Sequence, residues 1–72
     1  MLSNRLGMPL SARQREVVAL IGEGLADKAI AHRLGLNPGT VKQYAVAIRG
    51  RLGLESKVQV AVWWTRQQEQ RT

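Results

Sequence analysis

Gly24, Gly35 and Gly53, with the Asn37-Pro38 pair, cut this chain into pieces that each have room for a single helix. No piece alternates apolar and polar residues for long. Instead its apolar residues recur three and four positions apart, the spacing of one helical face. Short segments of that kind, separated by strong turn residues, predict an all-α fold with short connections. With 72 residues the chain has room for one small domain. It contains no Phe, and its aromatic residues are Tyr44, Trp63 and Trp64. The core must therefore come from Val, Ile, Leu and Ala.

Residues 1–8 have no periodicity and are expected to be a flexible tail, with the domain over residues 9–66 and a polar tail over 67–72. Ser11 followed by Gln14 has the spacing of a capping box. Val17, Leu20, Ile21 and Leu25 then form one buried stripe, while Gly22 and Gly24 weaken the end of the helix, where Gly24 can cap it. A second helix over 27–34 carries Ile30, Ala31 and Leu34, with Asp27 as its cap or first-turn acid. Gly35 allows a sharp turn. Asn37 is a strong N-cap and Pro38 is tolerated at the first helical position, so a third helix opens there. Val41, Ala45, Ile48 and Leu52 make its core stripe, and Gly53 ends it. A fourth helix starts at Glu55-Ser56, carries Val58, Val60, Ala61, Val62, Trp63 and Trp64, and is expected to dissolve into the polar run from Thr65 onward.

Composition excludes most chemistry. The absence of Cys rules out disulfides, thiol catalysis and thiolate zinc sites. One His and five scattered acids offer no cluster of ligands for a metal, so neither a metal nor a cofactor is expected, and no enzyme activity. His32 is expected to be an exposed helix residue near a nucleic-acid backbone. No apolar run is longer than five residues, as at 17–21 and 60–64, far short of the roughly 20 needed to span a membrane. Residues 1–9 hold one Arg and no stretch of signal-peptide length, so a cytoplasmic location is expected. Eleven Lys and Arg against five Asp and Glu give a net charge of +6, which favours a polyanionic partner.

A helix, a tight Gly turn and a helix opened by Asn-Pro are the outline of a helix-turn-helix. In that arrangement the second of the pair must present a face to a major groove about 12 Å wide. On a helical wheel of the third helix, Gln43, Val46, Ala47 and Gly50 lie opposite the core stripe. Lys42 and Arg49 flank one side of that face, Thr40 and Arg51 the other. Small residues there allow close backbone approach to a groove floor. Gln43 has an amide suited to adenine, Lys42 can reach a guanine edge or a phosphate, and Val46 can touch a thymine methyl. Gly50 costs a helix about 1 kcal/mol relative to Ala, so something must compensate it. From residue 28 to 54 there is no acid, while Lys28, Arg33, Lys42, Arg49 and Arg51 all fall inside. Charge segregated in this way makes a basic face on the side of the turn and third helix. Double-stranded DNA is the expected partner.

The same residues resemble a known family. Leu10-Ser11-Ala12-Arg13-Gln14-Arg15-Glu16-Val17-Val18 is similar to the "LSxREREVL" opening of LuxR/GerE-type helix-turn-helix domains. Gly24-Leu25-Ala26-Asp27-Lys28-Ala29-Ile30-Ala31 resembles their "GxSNKEIA", and Asn37-Pro38-Gly39-Thr40-Val41-Lys42 their "SPGTVK". Ile48 with Arg51-Leu52-Gly53-Leu54 is similar to "I..KLGV", and Lys57 stands where an Arg is usual. The resemblance covers residues 10–64 without a gap. It implies a four-helix, bundle-like domain whose third helix enters the major groove. It further implies base contacts from Lys42, Gln43 and Val46 and phosphate contacts from Lys28, Asn37, Thr40 and Arg49. The family's last helix commonly makes a twofold dimer contact. This chain departs from the pattern at Ala26 and Ala29, which stand for a Ser cap and a Glu, at Tyr44, which stands for a His, and at Val46, where a basic residue is frequent. The first departures remove a cap from the second helix, and the last bears on which DNA sequence is preferred.

The fourth helix is apolar on two sides. Trp63 and Trp64 differ by 100° on the wheel, so one is expected to cap the core and the other to be half exposed. An apolar patch on so small a domain marks an interface. Val58, Val62 and Trp63 are the candidate residues for a homodimer contact. The combined reading is a sequence-specific transcriptional regulator, cytoplasmic and nucleoid-associated, in a bacterium or a phage-infected host. An alternative is an adaptor that pairs through its fourth helix with a LuxR-type or other protein. A sigma-factor region-four-like domain shares the opening motif, but the apolar helix after Gly53 argues against it.

Overall fold

The structure, a computed structural model, describes residues 10–71, so the tail expected over 1–8 lies outside the described residues. Four helices follow one another: α1 (Ala12–Gly22), α2 (Asp27–Leu34), α3 (Pro38–Leu52) and α4 (Lys57–Arg71).

Three of the four starts are capped by side chains. Gln14 N–H donates to Ser11 Oγ at 3.1 Å while Ser11 N–H donates to Gln14 Oε1 at 2.9 Å, the reciprocal box expected from the spacing. Asn37 Oδ1 accepts from Thr40 N–H at 3.2 Å, with Pro38 in the first turn of α3. Before α4 the same device recurs: Gln59 N–H donates to Ser56 Oγ at 3.2 Å, and Gln59 Oε1 accepts from Ser56 N–H at 3.3 Å and Glu55 N–H at 2.6 Å. Only α2 differs. Its N-cap is Ala26, which offers no side-chain acceptor, and Asp27 is a first-turn acid rather than a cap.

The first three helices end alike. After α2, Gly35 adopts φ +69, and Leu36 N–H reaches back to the Ala31 carbonyl at 2.9 Å. This left-handed ending satisfies carbonyls that the last turn would otherwise leave open, at a φ that a Cβ disfavours. The pairs Gly24-Leu25 and Gly53-Leu54 repeat it, with Leu25 N–H on Leu20 O at 3.2 Å and Leu54 N–H on Arg49 O at 2.9 Å. Each of the three leucines packs against the core.

The core comprises Leu10, Val17, Val18, Leu20, Ile21, Ile30, Ala31, Val41, Ala45, Ile48 and Val60. Leu25, Leu34 and Leu52, expected in it, are half-buried at its edge. The single stripe expected on α1 is too narrow, because Val17 and Val18 are both fully buried. The physical reason is that α1 packs on α4 and also on α3, which buries two of its sides. The expected division of labour between the tryptophans does not hold either. Both are half-buried against the core, with ring centroids 6.4 Å apart. Trp64 lies over Gly22, where a Cβ would come within 2.7 Å of its indole Cδ1. Gly22 thus makes room for a ring to settle on α1.

Residues 65–71 do not dissolve into coil; α4 continues to Arg71. This stretch holds no Gly or Pro and is rich in Gln, Arg and Glu, all good helix formers. Thr65 Oγ1 also donates to the Ala61 carbonyl at 3.0 Å within it. Among the described residues no helix is long and apolar enough to cross a membrane.

Candidate nucleic-acid interface

The turn between α2 and α3 holds these two helices in a packed pair, and α1 and α4 support α3 from behind. Val41, Ala45 and Ile48 point into the core. Helical geometry therefore turns the opposite side of α3 outward, and Lys42, Gln43, Val46, Ala47 and Gly50 are all exposed. Val46 leaves 55% of its surface in solvent. Val46, Ala47 and Gly50 make one part of this face small and apolar, beside the polar Lys42 and Gln43.

The flanks supply charge and donors. Lys28 is exposed at the second position of α2, Asn37 is exposed in the turn, and Thr40 and Arg49 are half-buried at the edges of α3. Thr40 N–H is already held by Asn37 Oδ1, so the Thr40 hydroxyl and the Asn37 amide NH2 are the donors these residues keep for a phosphate. Of the acids that border the acid-free stretch, Asp27 is paired with Lys57 at 3.1 Å, and farther off Glu16 is paired with Arg13 at 2.9 Å. The acid-free stretch keeps its positive field.

Nothing inside the domain accounts for Gly50. A Cβ built there would meet nothing within 4 Å, so no packing inside the domain requires glycine. Gly50→Ala is expected to stabilise the free domain by up to about 1 kcal/mol, read as a higher melting temperature. If α3 lies against a groove floor, the added methyl is expected to cost about 1 kcal/mol or more of binding, roughly tenfold in affinity. A variant that melts higher and binds DNA unchanged would remove Gly50 from the interface.

The second exposed feature is on α4. Val58 is 72% and Val62 45% exposed. Together with Trp63 they line an open groove of about 320 Å³, completed by Leu54, Gln59 and Arg66. On their other side Val58 and Val62 border a cleft of about 430 Å³ against Ile21, Leu25 and Ala61. The two valines form a ridge between two hollows.

Comparison with known proteins gives the arrangement its context. Residues 8–64 match the luxR family of bacterial regulatory proteins. The chain belongs to that family. Among its relatives, the nitrate/nitrite response regulator protein NarL of Escherichia coli K12 is 39% identical over 54 residues, which are 75% of this chain and 25% of NarL. The DNA-binding transcriptional activator DevR/DosR of Mycobacterium tuberculosis H37Rv is 39% identical over 56 residues, 78% of this chain and 26% of that protein. The transcriptional regulatory protein UhpA of E. coli K12 is 38% identical over 53 residues, 74% of this chain and 27% of UhpA. The chain thus spans about a quarter of the length of these curated relatives. As a luxR-family chain it carries the DNA-binding helix-turn-helix domain, with α2 and α3 as the helix pair.

Two features of the luxR-family domain escaped the sequence reading. The Ser56/Gln59 box had a signal, Ser-x-x-Gln ahead of an apolar run, that was open to the same argument used for Ser11 and Gln14. The Asp27–Lys57 pair had none, because its members stand 30 positions apart.

Proposed function

We propose that this chain is a transcriptional regulator that binds duplex DNA in a sequence-specific way as a homodimer, in the bacterial cytoplasm. α3 of each copy enters a major groove, and the two copies meet through the Val58, Val62 and Trp63 face of α4. Lys42, Gln43 and Val46 read base edges, while Lys28, Asn37, Thr40 and Arg49 hold phosphates. The observation that carries this reading is the outward face of α3, small and exposed at Val46, Ala47 and Gly50, flanked by bases and free of acids. Two such helices across a twofold axis read half-sites about 10 bp apart or a multiple of that.

Selection from a random duplex pool at two salt concentrations tests it. Enrichment of an inverted repeat, with affinity falling steeply as salt rises, is the expected result. Gln43→Ala is expected to relax the preference at one base pair per half-site, with about 1–3 kcal/mol of discrimination lost there. Identical consensus sequences for variant and wild type would remove Gln43 from the readout. Absence of binding even at low salt would overturn the DNA reading. The exposure of Val58 would then favour an adaptor that pairs through α4 with another luxR-type chain.

A further inference from the structure

We propose that the Asp27–Lys57 ion pair is a clamp that sets the angle between the reading helices and the pairing helix, and with it the half-site spacing a dimer accepts. This inference rests on the dimeric DNA-binding reading given above.

The two residues open their helices: Asp27 is the first residue of α2 and Lys57 the first of α4. Lys57 Nζ donates to Asp27 Oδ1 at 3.1 Å, with the side chains 36% and 29% exposed. A pair shielded to that degree is less screened by salt than one on the open surface. Each partner is next in sequence to a residue of a different surface. Lys28 follows Asp27 and belongs to the phosphate-facing flank, while Val58 follows Lys57 and belongs to the α4 ridge.

The pair adds to a shared core, in which Ile30 of α2, Ile48 of α3 and Val60 of α4 are buried together, at a corner that backbone packing leaves open. The backbones of α2 and α4 do not pack on one another; α2 rests on α3 and on the end of α1. Beside the pair, between α4 and the α1–α2 turn, lies the open cleft lined by Ile21, Leu25, Ala26, Lys57, Val58 and Val62. Nor is Asp27 occupied in capping, since the N-cap position of α2 is Ala26 and makes no side-chain bond. Its carboxylate bonds Lys57 instead. A charge-assisted bond in that place adds to the packing of α3 on α1 and α4 in resisting a swing of α2 and α3 relative to α4.

Angle matters because duplex geometry is unforgiving. Each base pair added between half-sites moves the second one by about 3.4 Å and turns it by about 34°. A dimer whose reading helices are held at a fixed angle to its twofold axis accepts one spacing well and its neighbours poorly. Loosening the angle flattens that preference.

The test measures affinity for the selected inverted repeat and for repeats lengthened or shortened by one base pair. Four proteins are compared: wild type, Asp27→Asn, Lys57→Met, and the exchanged double variant Asp27→Lys with Lys57→Asp. Mass at the binding concentration and melting temperature are recorded for each. The wild type is expected to prefer its own spacing by about tenfold over either neighbour, a 1.4 kcal/mol difference. Each single variant is expected to stay folded and dimeric while that preference falls to about twofold, and the exchanged pair is expected to regain most of it. Single variants that keep the full preference would overturn the clamp, as would a loss of affinity equal at every spacing. Wild-type protein that binds all three spacings alike would overturn the dimeric reading and the clamp together.

Discussion

Ile48→Ala is expected to cost about 2–5 kcal/mol of folding free energy, a large part of the roughly 4–10 kcal/mol that a domain of this size holds. Ile48 is fully buried on the inner stripe of α3, in the same cluster as Val17, Val18, Ile30, Val41 and Val60. Truncation removes three carbons from water-free packing and leaves a hollow that the neighbouring helices close only in part. In a thermal melt followed by circular dichroism the midpoint should fall by about 4–8 °C for each kcal/mol lost. Val46, two positions earlier and 55% exposed, is the control. Val46→Ala is expected to change stability by no more than about 0.5 kcal/mol. A shift of only a few degrees for Ile48→Ala would mean that α3 can settle onto α1 and α4 without it.

The second large effect lies in association. Val62→Glu is expected to give a folded monomer that binds an inverted repeat about 100-fold more weakly than wild type, because tethered half-site binding gains 10²–10⁴ over a single contact. Val62 is the better choice than Trp63, which packs on the core and would confound pairing with folding. With 45% of its surface exposed, Val62 can take a carboxylate in the monomer at little cost. In a paired face the same carboxylate would be buried against its symmetry mate, next to the apolar hollows on either side. Sedimentation and titration on one half-site and on the full repeat separate the effects. A half-site affinity unchanged from wild type, with the advantage of the full repeat gone, is the expected pattern. Unaltered mass and unaltered affinity for the full repeat would take the pairing face away from α4.

Much of the fold is legible in the residues because its signals are local. Ser11 with Gln14, Asn37 with Pro38, and glycines at 24, 35 and 53 act within a turn of chain, and each does what its chemistry predicts. The outward side of α3 is legible for a related reason. Once Val41, Ala45 and Ile48 are recognised as the inner stripe, helix geometry places Gln43, Val46, Ala47 and Gly50 outside.

What could not be read depends on two helices meeting. Val18 belongs to the core because α1 is covered from two sides, which a single periodic stripe cannot express. Trp63 and Trp64 both reach the core although they are adjacent, and Trp64 does so because Gly22, far off in the chain, lacks a side chain. Gly22 counts as a weak point when α1 is considered alone; with α4 in place it is the seat of a ring. The length of α4 beyond Trp64 was hidden by polarity, since Thr65, Arg66, Gln68, Glu69 and Gln70 are exposed and show no inward stripe. The Asp27–Lys57 pair is of the same kind, a contact that exists only when the starts of two helices are brought together.

The separation between the two sides of α3 has an evolutionary consequence. The side chains of Lys42, Gln43, Val46 and Ala47 do not enter the core of the described residues. Changes at these positions are close to neutral for folding. With the base contacts proposed above, duplicated copies of such a gene would drift to new operators one side chain at a time, each intermediate remaining a folded protein, without compensating changes in the scaffold.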